Sequence, residues 1–408
     1  MDPLQSLDMD QETAQHLFEK GAKVVILGLP EQSEFGVDFA SWETGPRFRG
    51  LKFVPPGLHF IHYRPPVITS RLRNEGVASA SASAPDFRTG FFHWFAESEI
   101  LVCEWDAKNE DLKFDSELDQ DQVQRIKFNI RDFDPFLGTY PIKDGWAKWQ
   151  RQSKNITAAQ LDLILQRKPG TTIHPLTATA ESNLSDTDLK AAEARRVTQG
   201  GASAAPMDVD RLAPATTAVA VATTPTPRIH FTDFDLKRSW DPSRVGSASE
   251  ITRYSMDKSW LLKSVMKRPN VDLLGELQLA FLCLLVGQNF EGFEQWKKLM
   301  HLICRSVEAI DQMPEFFVKF MAVLRDQLAE CPRDFFVDVV SQDNFLITLL
   351  QELVANIADS SAIATHPRLE RAVNRLRDFA QKRFEVELVD PFDDEYLDEE
   401  DRPVVVEL

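Results

Sequence analysis

Val271-Asp272-Leu273-Leu274-Gly275-Glu276-Leu277-Gln278-Leu279-Ala280-Phe281-Leu282-Cys283-Leu284-Leu285-Val286-Gly287 decides how the second half of this chain folds. The run contains no proline, follows a capping residue, Asn270, and ends on a glycine, so it predicts a helix over 271–287. Apolar side chains surround that helix nearly completely. A helix without a polar face has to be covered on all sides, which puts it at the centre of a bundle. Its most apolar part, Leu277 to Gly287, is interrupted by Gln278 and falls far short of the roughly 18 residues that span a bilayer, so no membrane is expected.

Toward the C-terminus the helical period persists to about Phe384. Helices are expected over 290–310, 314–330, 332–340, 344–358 and 368–384, the last placing Leu369, Ala372, Val373, Leu376, Phe379, Ala380 and Phe384 on one face. Toward the N-terminus, Ser247-Ala248-Ser249-Glu250 has capping-box spacing for a helix reaching about Lys267. Residues 228–384 therefore read as an all-helical domain, a bundle or short solenoid with no sequence repeat of fixed period.

Upstream of it, residues 169–227 consist mainly of Thr, Ala, Ser and Pro without an aromatic residue, too little apolar surface to offset chain entropy. This segment reads as a flexible, disordered linker, in which 188–196 forms at most a transient helix. Before it, short apolar runs punctuated by Gly and Pro predict strands at 23–29, 51–54, 58–63, 90–96 and 100–105. Helices are expected at 10–20, 121–131, 146–152 and 158–167, and the Ala-Ser-rich stretch 73–85 reads as a loop. The fold class is α+β: a β-rich domain over 10–168 with appended helices, the linker, and the helical domain.

Residues 385–408 form an acidic tail with eleven carboxylates and one arginine, which leaves −7 of the total −17 for the rest of the chain. It closes on Pro403-Val404-Val405-Val406-Glu407-Leu408, where three β-branched residues favour an extended strand whose backbone needs a partner. Two destinations satisfy it: another protein, or a sheet of the chain itself.

A body this acidic has no footprint for direct nucleic-acid binding, and composition favours protein partners. The best basic patch, Arg368, Arg371, Arg375 and Arg377 along one expected helix, reads as a solvated face. The first residues lack the basic flank and apolar core of a secretory signal, so an intracellular protein is expected. Cys103, Cys283, Cys304 and Cys331 are scattered without a C-x-x-C pair, which speaks against disulfides or a structural zinc.

Motifs for chemistry are weak. The segment 28–36 has two glycines but no G-K-[ST] ending to hold a phosphate and magnesium. His59 and His62 alternate to opposite faces of one strand, so one buried and one exposed imidazole are expected, with no metal set nearby. Neither G-x-S-x-G nor H-E-x-x-H occurs. No catalytic, cofactor-binding or metal-ligating residue is assigned. Trp42, Phe48, Phe53, Phe60 and Tyr63, set among glycines and prolines, read as closely packed turns, and Phe335 to Phe345 as a helix end, a polar turn and a new helix.

The same segments carry a resemblance. Val25-Ile26-Leu27, Glu34-Phe35-Gly36-Val37-Asp38, Ser41-Trp42-Glu43, Gly45 to Gly50, Pro55 to Phe60 and His62-Tyr63 resemble the N-terminal domain of the A-A-R-two (A1-alpha2 repressor) splicing-factor family. Leu274-Gly275-Glu276-Leu277-Gln278, Phe293-Glu294-Gln295-Trp296-Lys297, Leu302 to Arg305 and Asp334 to Phe345 resemble its helical domain, and Pro403 to Leu408 its terminal segment. The resemblance implies a non-enzymatic, chaperone-like factor for assembly of the U5 small nuclear ribonucleoprotein (U5 snRNP) in pre-mRNA splicing, regulated by phosphorylation and found in cytoplasm and nucleus. It implies that the tail adds a strand between the RNase H-like and Jab1/MPN-type domains of pre-mRNA-processing-splicing factor eight, and that the bound factor holds off the particle's RNA helicase. In such a strand Val404 and Val406 face one way and Val405 the other. The competing class is a hydrolase with an unrecognised site in the β-rich domain.

Overall fold

The computed structural model describes residues 15, 18–66, 88–165, 173, 177, 228–241, 247–333 and 345–388. The predicted strands appear as β1 (Ala22–Leu27), β4 (Gly50–Val54), β5 (Gly57–Arg64), β6 (Thr89–Phe95) and β7 (Ile100–Asp106). Between and after them lie β2 (Glu34–Val37), β3 (Ala40–Glu43), β8 (Asp111–Phe114) and β9 (Gly138–Thr139), each too short for alternation to show in sequence. One sheet has the order β8-β7-β1-β4-β9, with β1 parallel to β7 and antiparallel to β4. The other, β3-β2-β5-β6, is antiparallel throughout. Gly50 opens β4 at φ +130°, where a Cβ would overlap the Val24 carbonyl of β1, so only glycine lets the two strands start together.

Period-2 alternation sorts the side chains into layers. Val24 and Ile26 of β1 meet Ile61, Tyr63, Phe91 and Phe95 in a core between the sheets. Val25 points the other way, onto Val102 and onto Val123 and Ile126 of α1 (Gln120–Phe128), a helix capped by the Asp119 carboxylate accepting from Asp121 N. On the far face of the second sheet, Leu58, Phe60 and Phe92 pack against α2 (Ala147–Ser153) and α3 (Ala158–Leu165). Both faces of β5 are thus covered. His59 and His62 do lie on opposite faces, but both are buried, and the expected exposed imidazole is corrected.

The helical region comprises α4 (Ala248–Met256), α5 (Ser259–Met266), α6 (Leu273–Leu285), α7 (Phe290–Cys304), α8 (Val307–Gln312), α9 (Pro314–Leu328), α10 (Phe345–Ala358), α11 (Ala362–Thr365) and α12 (Pro367–Phe384). The predicted capping box is present, with Glu250 N donating to Ser247 Oγ at 3.3 Å and Ser247 N to Glu250 Oε2 at 3.1 Å. The helix expected to run on to Lys267 breaks instead at Asp257. Its carboxylate accepts from Ser259 N at the head of α5 (2.9 Å) and from Val307 N at the head of α8 (3.0 Å), so one side chain caps two helices. For the same reason the helix expected over 290–310 is divided into α7 and α8. α6 is central as predicted, with Leu277, Leu279, Phe281 and Leu282 fully enclosed. Its cap is Asp272, which accepts from Leu274 N and Gly275 N, whereas Asn270 takes a left-handed turn at φ 61°.

The two regions share a core. Leu279, Leu282, Cys283 and Val286 of α6 lie in one apolar cluster with Leu58, Phe60, Trp149, Leu161 and Ile164 of the β-rich side. Ile173 and Thr177, inside the stretch read as a linker, are buried: Ile173 pairs with Gly90 at the β6 edge and Thr177 O accepts from Asn289 Nδ2. The remainder of 169–227, including 188–196, lies outside the described residues, as do 73–85, 334–344 and so most of the helix expected over 332–340. Of the helix expected over 10–20, Gln15 and Phe18 to Lys20 are described, and they are helical.

Candidate functional site

The cluster closest to catalytic chemistry is Asp38, His59 and Tyr140. Asp38 sits in the β2–β3 turn at φ 55°, and its Oδ2 accepts from Tyr140 OH at 2.6 Å and lies 2.7 Å from His59 Nδ1. Oδ1 accepts from Phe60 N at 2.9 Å, and the other imidazole nitrogen faces the Pro55 carbonyl at 2.8 Å. Trp146 and Trp149 both stack on the His59 ring, at 5.4 and 6.4 Å between centroids. Every polar atom of the set is spent on a neighbour and all three residues are buried, so no substrate reaches them. Burial, with the charge of Asp38 beside it, holds the Tyr140 hydroxyl well above its ordinary range. The set fastens the segment leading into α2 onto the sheet, and Trp149 Nε1 donating to Leu58 O at 2.6 Å completes the attachment.

The four cysteines and His62 are equally enclosed. All four cysteines are free and buried, and burial raises each thiol, that of Cys331 to about 12, so none is a thiolate nucleophile near neutrality. Burial and the nearby charge of Arg88 lower His62 from 6.5 to about 3, which keeps it neutral, and its Nδ1 has no hydrogen-bond partner. Among the described residues no group of three His, Cys, Asp or Glu side chains is placed to hold a metal ion, and no helix is long and apolar enough to cross a membrane.

The segment Leu274-Gly275-Glu276-Leu277-Gln278 is a joint between the two regions. Gln278 Oε1 accepts from Asn155 N at 2.9 Å while its Nε2 donates to Arg151 O at 2.8 Å. Gln160 Nε2 donates to Asp272 O at 2.6 Å, just across from Gly275, where a Cβ would overlap Gln160 Oε1 and sit 2.5 Å from Asn155 O. Glu276 is buried and accepts from Thr232 N (2.8 Å), Thr232 Oγ1 (2.5 Å) and Gln295 Nε2 (2.8 Å), clipping the segment that enters the helical region onto α6 and α7. Its burial raises the carboxyl, and those bonds work in the opposite direction. Gln295 and its neighbour Trp296, whose Nε1 donates to Gln327 Oε1 at 3.0 Å, belong to the second motif singled out in the sequence. Both motifs thus hold elements together.

One concavity of the described surface is a groove of about 290 Å³ between α9 and α12. Met321, Ala322, Ala372 and Leu376 floor it, and Arg325, Arg368, Arg371 and Arg375 rim it. Three of the four arginines singled out in the sequence therefore line one concavity. The fourth, Arg377, is not among the lining residues and is half-buried, with its Nε unpaired. Arg325 escaped the sequence because it lies on a different helix. The predicted strand residues Pro403, Val404, Val405, Val406, Glu407 and Leu408 lie outside the described residues, which end at Leu388, buried against the helical core.

Comparison with known proteins accounts for both regions. The AAR2 N-terminal domain profile matches residues 20–166 and the AAR2 C-terminal repeat region profile matches 231–389. Protein AAR2 homolog of Mus musculus is 33% identical over 416 residues, covering 99% of this chain and 98% of that protein. The Homo sapiens protein of the same name is 32% identical over 417 residues with the same coverage, and that of Caenorhabditis elegans is 33% identical over 364 residues, 86% of this chain and 90% of its own. With both regions matched in order and relatives aligned along nearly its whole length, this chain belongs to the AAR2 family.

Proposed function

We propose that this protein is a non-enzymatic assembly factor of the U5 snRNP in pre-mRNA splicing, acting in cytoplasm and nucleus under control of phosphorylation. It binds pre-mRNA-processing-splicing factor eight and holds off the particle's RNA helicase while bound, with little direct contact to nucleic acid. Membership of the AAR2 family over nearly the whole chain carries the reading. Its support from chemistry is the use made of the reactive side chains: the cluster that, among the described residues, comes closest to a catalytic set is sealed and acts as a fastening. No observation favours the hydrolase reading.

Within this proposal Pro403 to Leu408 adds a strand between the RNase H-like and Jab1/MPN-type domains of the partner. Main-chain hydrogen bonds of about 1 kcal/mol net each supply the affinity, and the acidic stretch before them supplies reach. Deleting 403–408 is expected to weaken the complex by at least about tenfold, the loss of two or more such bonds, while leaving the unfolding midpoint of the body unchanged. The test is a pull-down from cell extract with the full chain and the deletion variant, identifying the largest co-purifying protein. Equal recovery of that protein by both, or recovery of no spliceosomal protein by the full chain, would sink the assignment.

A further inference from the structure

The arginine groove between α9 and α12 has no partner in the function proposed above, and its charge is poorly balanced from within. Among the described residues Arg375 makes no ion pair and the Arg371 guanidinium donates only to Pro367 O of its own helix, at 3.0 Å. Arg368 reaches Glu315 at 3.6 Å with both side chains more than half exposed, and Arg325 stands 3.6 Å from the adjacent Asp326. Such pairs contribute little. Arg368 and Arg371 also lie in the first turns of α12, where the helix dipole disfavours positive charge. A row of cations over the apolar floor of Met321, Ala322, Ala372 and Leu376 calls for an anionic chain that also carries apolar side chains.

We propose that the groove holds this chain's own acidic segment, 390–401. That segment has eight carboxylates and, among them, Phe392, Tyr396 and Leu397, so it offers both halves of the required chemistry. Reach is sufficient. From the end of α12 back to the level of Arg371 is about 20 Å at 1.5 Å per residue, which about six extended residues cover, so the stretch between Phe384 and Asp394 is more than long enough to bring Asp394 to Tyr396 to the rim. Because the segment is tethered a few residues away, its effective concentration is in the millimolar range and individually weak pairs suffice. The valine terminus is then carried alongside α12 until salt or a competing acidic chain releases it. The proposal does not depend on the tail having a partner.

The test uses the full chain alone. Cleavage within 390–401 by a glutamate-specific protease is followed by intact mass, relative to cleavage of a free 385–408 peptide in the same buffer. At low ionic strength the full chain is expected to be cut about tenfold more slowly than its Arg371→Glu/Arg375→Glu variant, and 0.5 M salt is expected to remove the difference. Adding Asp394→Arg and Glu395→Arg to that variant restores protection, read with a protease cutting after Tyr396 or Leu397. The salt arm needs no substitution, so a variant that failed to fold would not rescue the idea. Equal cleavage of full chain and free peptide at low salt would overturn it and leave the groove to a different acidic chain. That outcome would say nothing about strand pairing by Val404 to Val406, which the pull-down reads separately.

Discussion

His62 shows what a single position contributes. Its ring fills the space opposite Gly36, where a Cβ would overlap it, and lies against Phe60. Folded, it titrates near 3; unfolded, near 6.5. Between those values the unfolded chain binds a proton that the folded chain does not, so stability falls as pH falls, beginning near 6.5 and complete below about 3. From pH 7 to pH 5 the loss due to this residue is about 2 kcal/mol. His62→Phe keeps a ring and removes the titration, so its urea midpoint should fall less than that of the unaltered chain between those pH values. Parallel pH dependence in both would refute a buried neutral His62. Alternation along β5 made it legible in the sequence that His59 and His62 face apart. That both are buried was not, because the cover on each face comes from residues distant in the chain: Trp146 and Trp149 on one side, Gly36 on the other.

At the scale of elements, helix positions could be read from the 3.6-residue period, whereas helix ends were decided by side chains from elsewhere. Asp257 ends α4 because its carboxylate is needed at the heads of α5 and α8. α6 was recognisable as the central helix from its composition, but a low count of polar residues says nothing of what Gly275 and Gln278 touch. Gly275→Ala makes the distinction measurable. In a free helix the change would gain about 1 kcal/mol from propensity. Here the added methyl meets the Asn155 carbonyl, a backbone atom that no rotamer change moves aside, and overpacking of that kind costs about 1–3 kcal/mol. A net loss of up to about 2 kcal/mol is expected, together with faster amide exchange over 151–160 as α6 is pushed off the loop before α3. A more stable protein with unchanged exchange would mean that the joint is loose.

Across the whole molecule, the apolar cluster running from Leu58 and Phe60 through Trp149 and Leu161 to Leu279 and Leu282 makes independent unfolding of the two regions costly. Calorimetry is expected to give one transition with matching calorimetric and van't Hoff enthalpies, although a chain of this length with two domain-sized regions ordinarily gives more than one. Two resolved transitions would show that the joint is weaker than its contacts imply. The sequence alone determined the longer elements and their order, the change from a β-rich to a helical half and the segregation of charge into the tail, because these follow from periodicity, propensity and composition, which act locally. Only the tertiary structure decided that the halves share a core, that Asp38, His59 and Tyr140 form a sealed fastening, and that Arg325 joins Arg368, Arg371 and Arg375 around one groove. Those outcomes depend on which residues meet across long stretches of chain, and burial and charge pairing are properties of that meeting.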